Sequence, residues 1–203
     1  MAGTPTPPNP SPWRIVVIGT SGAGKTTLAG RLSTRLSIPH VQLDALHWEP
    51  NWTEAAPEVL RARVAAALQG DAWVVDGNYT MLRDLTWCRA HLVVWLDYGL
   101  PRIMAQLVRR TLRRALTREE IWNGNRESLR TALFSRDSIL LWALQTYRQR
   151  RREYRALFGQ PEHRHLTVIH LRSPRETAHW LAGLPGAPRG LPPDVAGQGG
   201  VHE

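Results

Sequence analysis

"GTSGAGKTT", Gly19 to Thr27, is the stretch on which the reading of this 203-residue chain turns. Gly19 to Thr26 satisfies the pattern G-x-x-x-x-G-K-[ST] in full. "WRIVVIG" precedes it, a continuous apolar run of the kind a strand buried on both faces requires. "KTTLAGRLSTRL" follows with the spacing of a helix. In that setting glycines let the backbone curl until its N–H groups converge on an anion. The helix adds the positive end of its dipole. Gly19, Ser21, Gly22, Ala23, Gly24, Lys25, Thr26 and Thr27 are therefore candidate phosphate-binding residues. Lys25 is the point charge for the β- and γ-phosphates, and Thr26 offers a hydroxyl to Mg²⁺. Composition singles out the same lysine: every one of the 26 Lys and Arg residues except Lys25 is arginine.

Outward from this loop, "HVQLD", "AWVVDG", "HLVVWLD" and "HLTVIHL" read as further short buried strands. Three of them end at or just before an aspartate: Asp44, Asp76 and Asp97. Helical patterns lie between. In "LPRIMAQLVRRTLRRAL" the apolar face is read from Leu100, Met104, Leu107, Val108 and Leu112. A longer helix is expected from about Ser135 to Phe158, its apolar face marked by Leu140, Leu144, Tyr147, Tyr154 and Phe158. Ser173 and Glu176 read as a capping box, with Pro174 at the first position of a final helix. Strands alternating with helices predict an α/β fold, a mostly parallel sheet covered on both faces. Ligands of such sheets gather at the carboxyl ends of the strands, where the glycine-rich loop and the aspartates lie.

Composition sets the surrounding limits. A hydrophobic share of 42% suffices for one core, and the formal charge of +9 suits acidic partners. No apolar run approaches the ~18 residues of a membrane span. The opening "MAGTPTPPNPSP" lacks the basic and apolar segments of a secretory signal, and Cys88 has no internal partner. These features read as a cytoplasmic protein with a disordered leader over 1–12, one domain over 13–185 and a disordered tail over 186–203.

Asp76 in "AWVVDGNY" could hold Mg²⁺ through water or orient an attacking hydroxyl. Asp44 in "VQLDALHWEPNW" could be a base or an orienting acceptor for a hydroxyl, with His47, Trp48 and Trp52 placed to stack on a ring-shaped substrate. "RRTLRRALTREEIWNGNRE" carries i, i+4 arginine pairs, Arg109 with Arg113 and Arg110 with Arg114. Arg110, Arg114 and Arg118 are the candidates to neutralise charge on a transferring phosphoryl group, and Arg126 lies just beyond. "YRQRRREYR", Tyr147 to Arg155, reads as an exposed basic helix face, or as a nucleic-acid contact.

Assembled, "GTSGAGKTTLAGRL", "LDALHWEPNW", "WVVDGNY", "VVWLD", "NGNRESL" and "IHLRSPRE" resemble the adenylate kinase-like P-loop kinases. The resemblance runs from about Arg14 to Leu184 and is closest to the bacterial proteins labelled DNA topology modulation protein, or adenylate kinase-related kinase. It implies a P-loop NTPase three-layer sandwich with strand order 2-3-1-4-5 and a mobile helical lid over about 117–127. It implies ATP on Gly22 to Thr27, Mg²⁺ near Thr26 and Asp76, and Arg172 and Pro174 beside the adenine. A small-molecule acceptor would enter between "DALHW" and Gly77, Asn78 and Tyr79. Where adenylate kinases carry an Asp-Gly-aromatic-Pro-Arg motif this chain reads "DGNYTMLR", so Arg83 is the substitute candidate for gripping an acceptor phosphate. Two functions follow: an ATP-dependent small-molecule kinase, or an ATP-gated regulatory or nucleic-acid-binding protein.

Overall fold

The run "RIVVIG" forms β1 (Arg14–Gly19), and its alternate side chains supply two separate cores. Ile15 and Val17 pack on one face of a sheet, Val16 and Ile18 on the other, and all four are fully buried. A strand with both faces covered has no position for a polar residue, which is why the run is unbroken. The structure is a computed structural model that describes residues 13–117, 119–125 and 139–185.

The remaining elements follow in chain order. They are α1 (Lys25–Leu36), β2 (His40–Gln42), α2 (Leu43–His47), β3 (Trp48–Glu49), β4 (Thr53–Glu54), α3 (Pro57–Ala67), β5 (Trp73–Asp76) and α4 (Arg83–Thr86). Next come β6 (Leu92–Leu96), α5 (Leu100–Thr117), α6 (Ile139–Phe158), β7 (Thr167–Leu171) and α7 (Pro174–Ala182). The main sheet has five parallel strands ordered β2-β5-β1-β6-β7, with β3 and β4 forming a separate antiparallel hairpin. Counted among the sheet strands alone, this order is 2-3-1-4-5, as expected. Helix α1 fills one core with Leu28, Ala29, Leu32 and Leu36, and α3 fills the other with Leu60 and Val64. The capping box also forms: Ser173 Oγ accepts the Glu176 N–H at 3.2 Å, and the Glu176 carboxylate accepts the Arg172 N–H at 2.8 Å. No helix among the described residues is long and apolar enough to cross a membrane.

Three local expectations are corrected. Strand β2 stops at Gln42, and Asp44 lies in the first turn of α2, because buried Leu43 turns the chain into the second core. Helix α5 buries Ile103, Leu107 and Thr111; of its expected face Leu107 is buried and Leu100 and Met104 pack partly buried on the first core, while Leu112 is exposed. In α6, Leu144 is exposed and Ala143 is buried beside Tyr147. The expected beginning of this helix over residues 135–138, the side chain of Leu140, and both tails lie outside the described residues.

Helix α6 also serves both cores. Ala143 and Tyr147 join the first and Tyr154 the second. Between them Arg151 binds Asp97, just beyond the end of β6, at 2.6 Å. The helix therefore crosses the carboxyl edge of the sheet, the edge that carries the glycine-rich loop.

Candidate functional site

The loop Thr20–Gly24 joins β1 to α1, closed by an Ala23 N–H bond to the Thr20 carbonyl at 3.0 Å. Gly19 ends β1, Ser21 is half-buried, and Gly24 caps α1 with φ of +90°. Gly22 lies directly beneath α5, against Leu107. Lys25 opens α1 and donates back to the Thr20 carbonyl at 3.3 Å. Thr26 and Thr27 stand exposed on the first turn.

Thr26 Oγ1 donates to Asp76 Oδ2 at 2.5 Å, joining the loop to the end of β5. The other oxygen of Asp76 meets His40 Nε2 at 2.9 Å. Asp76 is only 5% exposed, so these neighbours fix its carboxylate in one orientation. The pair offers hard oxygen donors, one of them anionic, which suits Mg²⁺.

The charge around Lys25 is balanced by four groups. Burial lowers its pKa most; Asp44 and Asp76 raise it, and Arg110 and Arg150 lower it. Asp44 accepts a 2.7 Å hydrogen bond from the Tyr79 hydroxyl. Burial and the Asp44 carboxylate together push the Tyr79 pKa well above its ordinary value, so this hydroxyl remains a donor. Asp44 and Arg110, both singled out from sequence, thus lie close enough for their charges to act on Lys25.

Arg150 was not expected there. The run "YRQRRREYR" is not an exposed face: Tyr147 and Tyr154 are buried, and Arg151 is bound to Asp97. Arg150 donates to the Asn78 carbonyl at 3.4 Å. Arg148, Gln149, Arg152 and Arg155 are the exposed members of the run. The signal was in the spacing, because positions 150 and 151 fall between Tyr147 and Tyr154 on the face those tyrosines bury.

Asp44, His47 and Trp48 follow β2 on α2 and β3. His47 is buried, its ring 4.8 Å from Trp48 and 4.9 Å from Tyr79. Trp48 meets Trp52 edge-on at 5.5 Å, and Trp52 meets Trp122 at 6.5 Å. One row of rings therefore leads away from Asp44. Gly77 and Asn78 shape the turn after β5. The Asn78 amide donates to the Tyr154 hydroxyl at 3.3 Å.

Other candidates are placed elsewhere. Arg83 is ion-paired with Glu153 of α6 and lies over the Trp87 ring, packing α4 against α6, while its Nε donates to Asn78 Oδ1 at 3.5 Å. Arg114 is half-buried and faces Glu119 at 3.9 Å, and Arg109 and Arg113 are exposed. Arg172 and Pro174 follow β7, two strands away from β1 on the same edge, where Arg172 is exposed. Arg118 and Arg126 lie outside the described residues.

The segment expected to act as a lid contacts the other side of the site. Trp122 Nε1 donates to Gln42 Oε1 at 3.3 Å, and the Asn123 amide donates to the Trp48 carbonyl. Asn125 bonds both Glu49 and Trp52. Residues 121–125 are thus docked on α2 and the β3–β4 hairpin.

A shikimate kinase from Bacteroides thetaiotaomicron is similar at 14% identity, covering 84% of this chain and 94% of that one, with a TM-score of 0.49. A gluconokinase from Sinorhizobium meliloti 1021 is similar at 19% identity, covering 84% and 92%, with a TM-score of 0.47. A sugar kinase from a Janibacter species matches at 18% identity, covering 84% and 91%, with a TM-score of 0.47. Likeness at this level says nothing about the reaction of this chain. No curated protein matches it. A family profile described as AAA domain matches residues 15–187, from β1 past α7. With its phosphate loop, its parallel sheet and a match over most of its length, the chain belongs to the AAA domain family.

Proposed function

We propose that the protein is an ATP-dependent phosphotransferase that acts on a small-molecule acceptor. The observation that carries this reading is the Thr26–Asp76 hydrogen bond beside the glycine-rich loop, with Asp44 held by Tyr79 and the charges of Asp44, Arg110 and Arg150 acting on Lys25. Binding of a triphosphate needs only the loop and its lysine. An acidic side chain held at the phosphate end, with two arginines from different helices, is the equipment of transfer.

In this mechanism the loop N–H groups and Lys25 hold the β- and γ-phosphates of ATP. Thr26 and Asp76 would hold Mg²⁺, which when bound supplies positive charge to the phosphate oxygens. The acceptor lies along the ring row, its attacking oxygen on the Asp44 oxygen that Tyr79 leaves free. The bond from the γ-phosphorus to ADP breaks as the bond to the acceptor oxygen forms, and Asp44 orients that oxygen and takes its proton. Arg110 and Arg150 neutralise charge on the transferring group. Arg114 and Arg118 are proposed to neutralise the same charge, Arg126 to bind the acceptor, and Arg172 and Pro174 to border the adenine.

The test is ADP release from Mg-ATP across a panel of nucleoside monophosphates, nucleosides, sugar acids and other hydroxylated metabolites. Strong stimulation by one compound class is expected. Slow release that no compound accelerates would overturn transfer and leave an ATP-dependent switch. The inward placement of Arg150 and Arg151 removes part of the basic surface on which a nucleic-acid reading relied.

A further inference from the structure

Trp52 has a backbone that tryptophan rarely adopts. Its φ is +57°, and Asn51 before it has φ of +61°. For an L-residue with a large side chain the left-handed region costs about 1–2 kcal/mol, and such strain persists only where surrounding contacts enforce it. At Trp52 the enforcing contact comes from another part of the chain. Asn125 Oδ1 accepts the Trp52 N–H at 2.8 Å, and Asn125 Nδ2 donates to the Glu49 carbonyl and to the Trp122 carbonyl, both at 2.9 Å. Asn125 is 4% exposed, so these bonds are shielded from water. One amide thus grips both sides of the β3–β4 hairpin turn. Asparagine suits the task because it accepts with one atom and donates with the other.

The consequence is a fixed ring. With its backbone held, Trp52 is 38% exposed yet stays in edge contact with Trp48 and Trp122. A half-exposed tryptophan on a strained backbone is a poor way to fill a core and a good way to present an aromatic edge to a ligand. The segment that bears Asn125 also follows α5, the helix that carries Arg110, whose charge acts on Lys25.

We propose that Asn125 is a positioning residue for acceptor recognition: it holds Trp52 in place, and so couples the ring row to the segment that follows the arginine helix. This rests on the reading of the hairpin as the acceptor side. The acceptor is then sensed by a segment that follows the helix carrying Arg110.

The experiment is amide hydrogen exchange of the full chain, wild type and Asn125→Asp, with Mg-ADP affinity measured in parallel. Aspartate keeps the acceptor for Trp52 and loses the donor for Glu49. In wild type the Trp52 amide is expected to be protected despite its place on an exposed turn. In the variant, exchange over residues 48–54 is expected to rise about tenfold, the effect of one shielded hydrogen bond. Amides of β1 and β5 and the Mg-ADP affinity should not change. An unprotected Trp52 amide in wild type would overturn the proposal without any variant. Equal acceleration across the whole domain would also overturn it, by making Asn125 a general packing residue. If Asn125→Asp fails to fold, Asn125→Ser carries the comparison. With the acceptor found by the ADP-release panel, the variant should raise its KM about tenfold and leave kcat within twofold; a loss confined to kcat would refute the positioning role. A panel with no responding compound would sink the kinase reading, while the exchange data would still decide whether Asn125 sets Trp52.

Discussion

Replacing Gly22 by alanine tests whether α5 is seated on the phosphate loop. Gly22 has φ of +84°, and a β-carbon there would lie 2.4 Å from Leu107 Cγ, 2.9 Å from Leu107 Cδ2 and 3.2 Å from the Ile103 carbonyl oxygen. Leu107 and Ile103 are both fully buried, so neither can swing into solvent. Two costs combine. The left-handed conformation costs about 1–2 kcal/mol, and forcing an extra methyl into packed surroundings costs about 1–3 kcal/mol. Their sum is about 2–5 kcal/mol. Gly24→Ala is the matched control, because Gly24 has φ of +90° but nothing within 4 Å of an added β-carbon. Only the conformational cost, about 1–2 kcal/mol, applies there. Urea unfolding of the two variants and the wild type reads the difference as a shift in midpoint at unchanged slope. A gap of about 1–3 kcal/mol between the variants is expected. Arg110 follows Leu107 by one turn, so an α5 lifted by the Gly22 methyl also draws Arg110 away from Lys25. Equal destabilisation by the two substitutions would refute the seating of α5 on the loop, and with it the route by which Arg110 reaches the site.

Three further outcomes are expected. The lowered pKa of Lys25 means the unfolded chain binds a proton that the folded chain has already released, so the stability of the nucleotide-free protein should rise with pH between the two values. The same shift should place the alkaline limb of kcat/KM for ATP below the ordinary lysine pKa of about 10.4, and a limb at or above that value would remove burial as its cause. Arg150→Ala should lower kcat/KM about 10²–10³-fold with little change in melting temperature, in the range of other single charge-stabilising donors; a change under twofold in steady-state kinetics would return Arg150 to a structural role. Arg83→Ala should cost about 1–3 kcal/mol in denaturant unfolding, between an exposed and a buried ion pair, and leave ATP kinetics unchanged. A stable Arg83→Ala protein with impaired transfer would restore Arg83 to the acceptor site.

The legible parts of the site were those with a local cause. The loop from Gly19 to Thr26 announces itself because its glycines, lysine and threonine act within one turn of backbone. Asp76 could be read because it ends an apolar run, and its contact with Thr26 follows from the pairing of β1 with β5. The partner of its other oxygen, His40, gave no signal; a histidine at the start of a short strand looks the same whatever lies on the next strand. The ion pair of Arg83 with Glu153 was equally illegible, since that partner is remote in sequence.

What the sequence determined by itself was the order of elements and the glycine-rich loop from Gly19 to Thr26. Both depend on periodicity and on residue types within a few positions of each other. The tertiary structure alone decided which arginines act on the charge of Lys25, where Arg151 is anchored and what residues 121–125 touch. A helix face has an orientation only once a neighbour exists. The direction of Arg150 is set by the crossing of α6 over the sheet edge, through tyrosines buried in two cores and a bond to Asp97 more than fifty residues away. The grip of Asn125 on Trp52 likewise joins two segments that no local pattern connects.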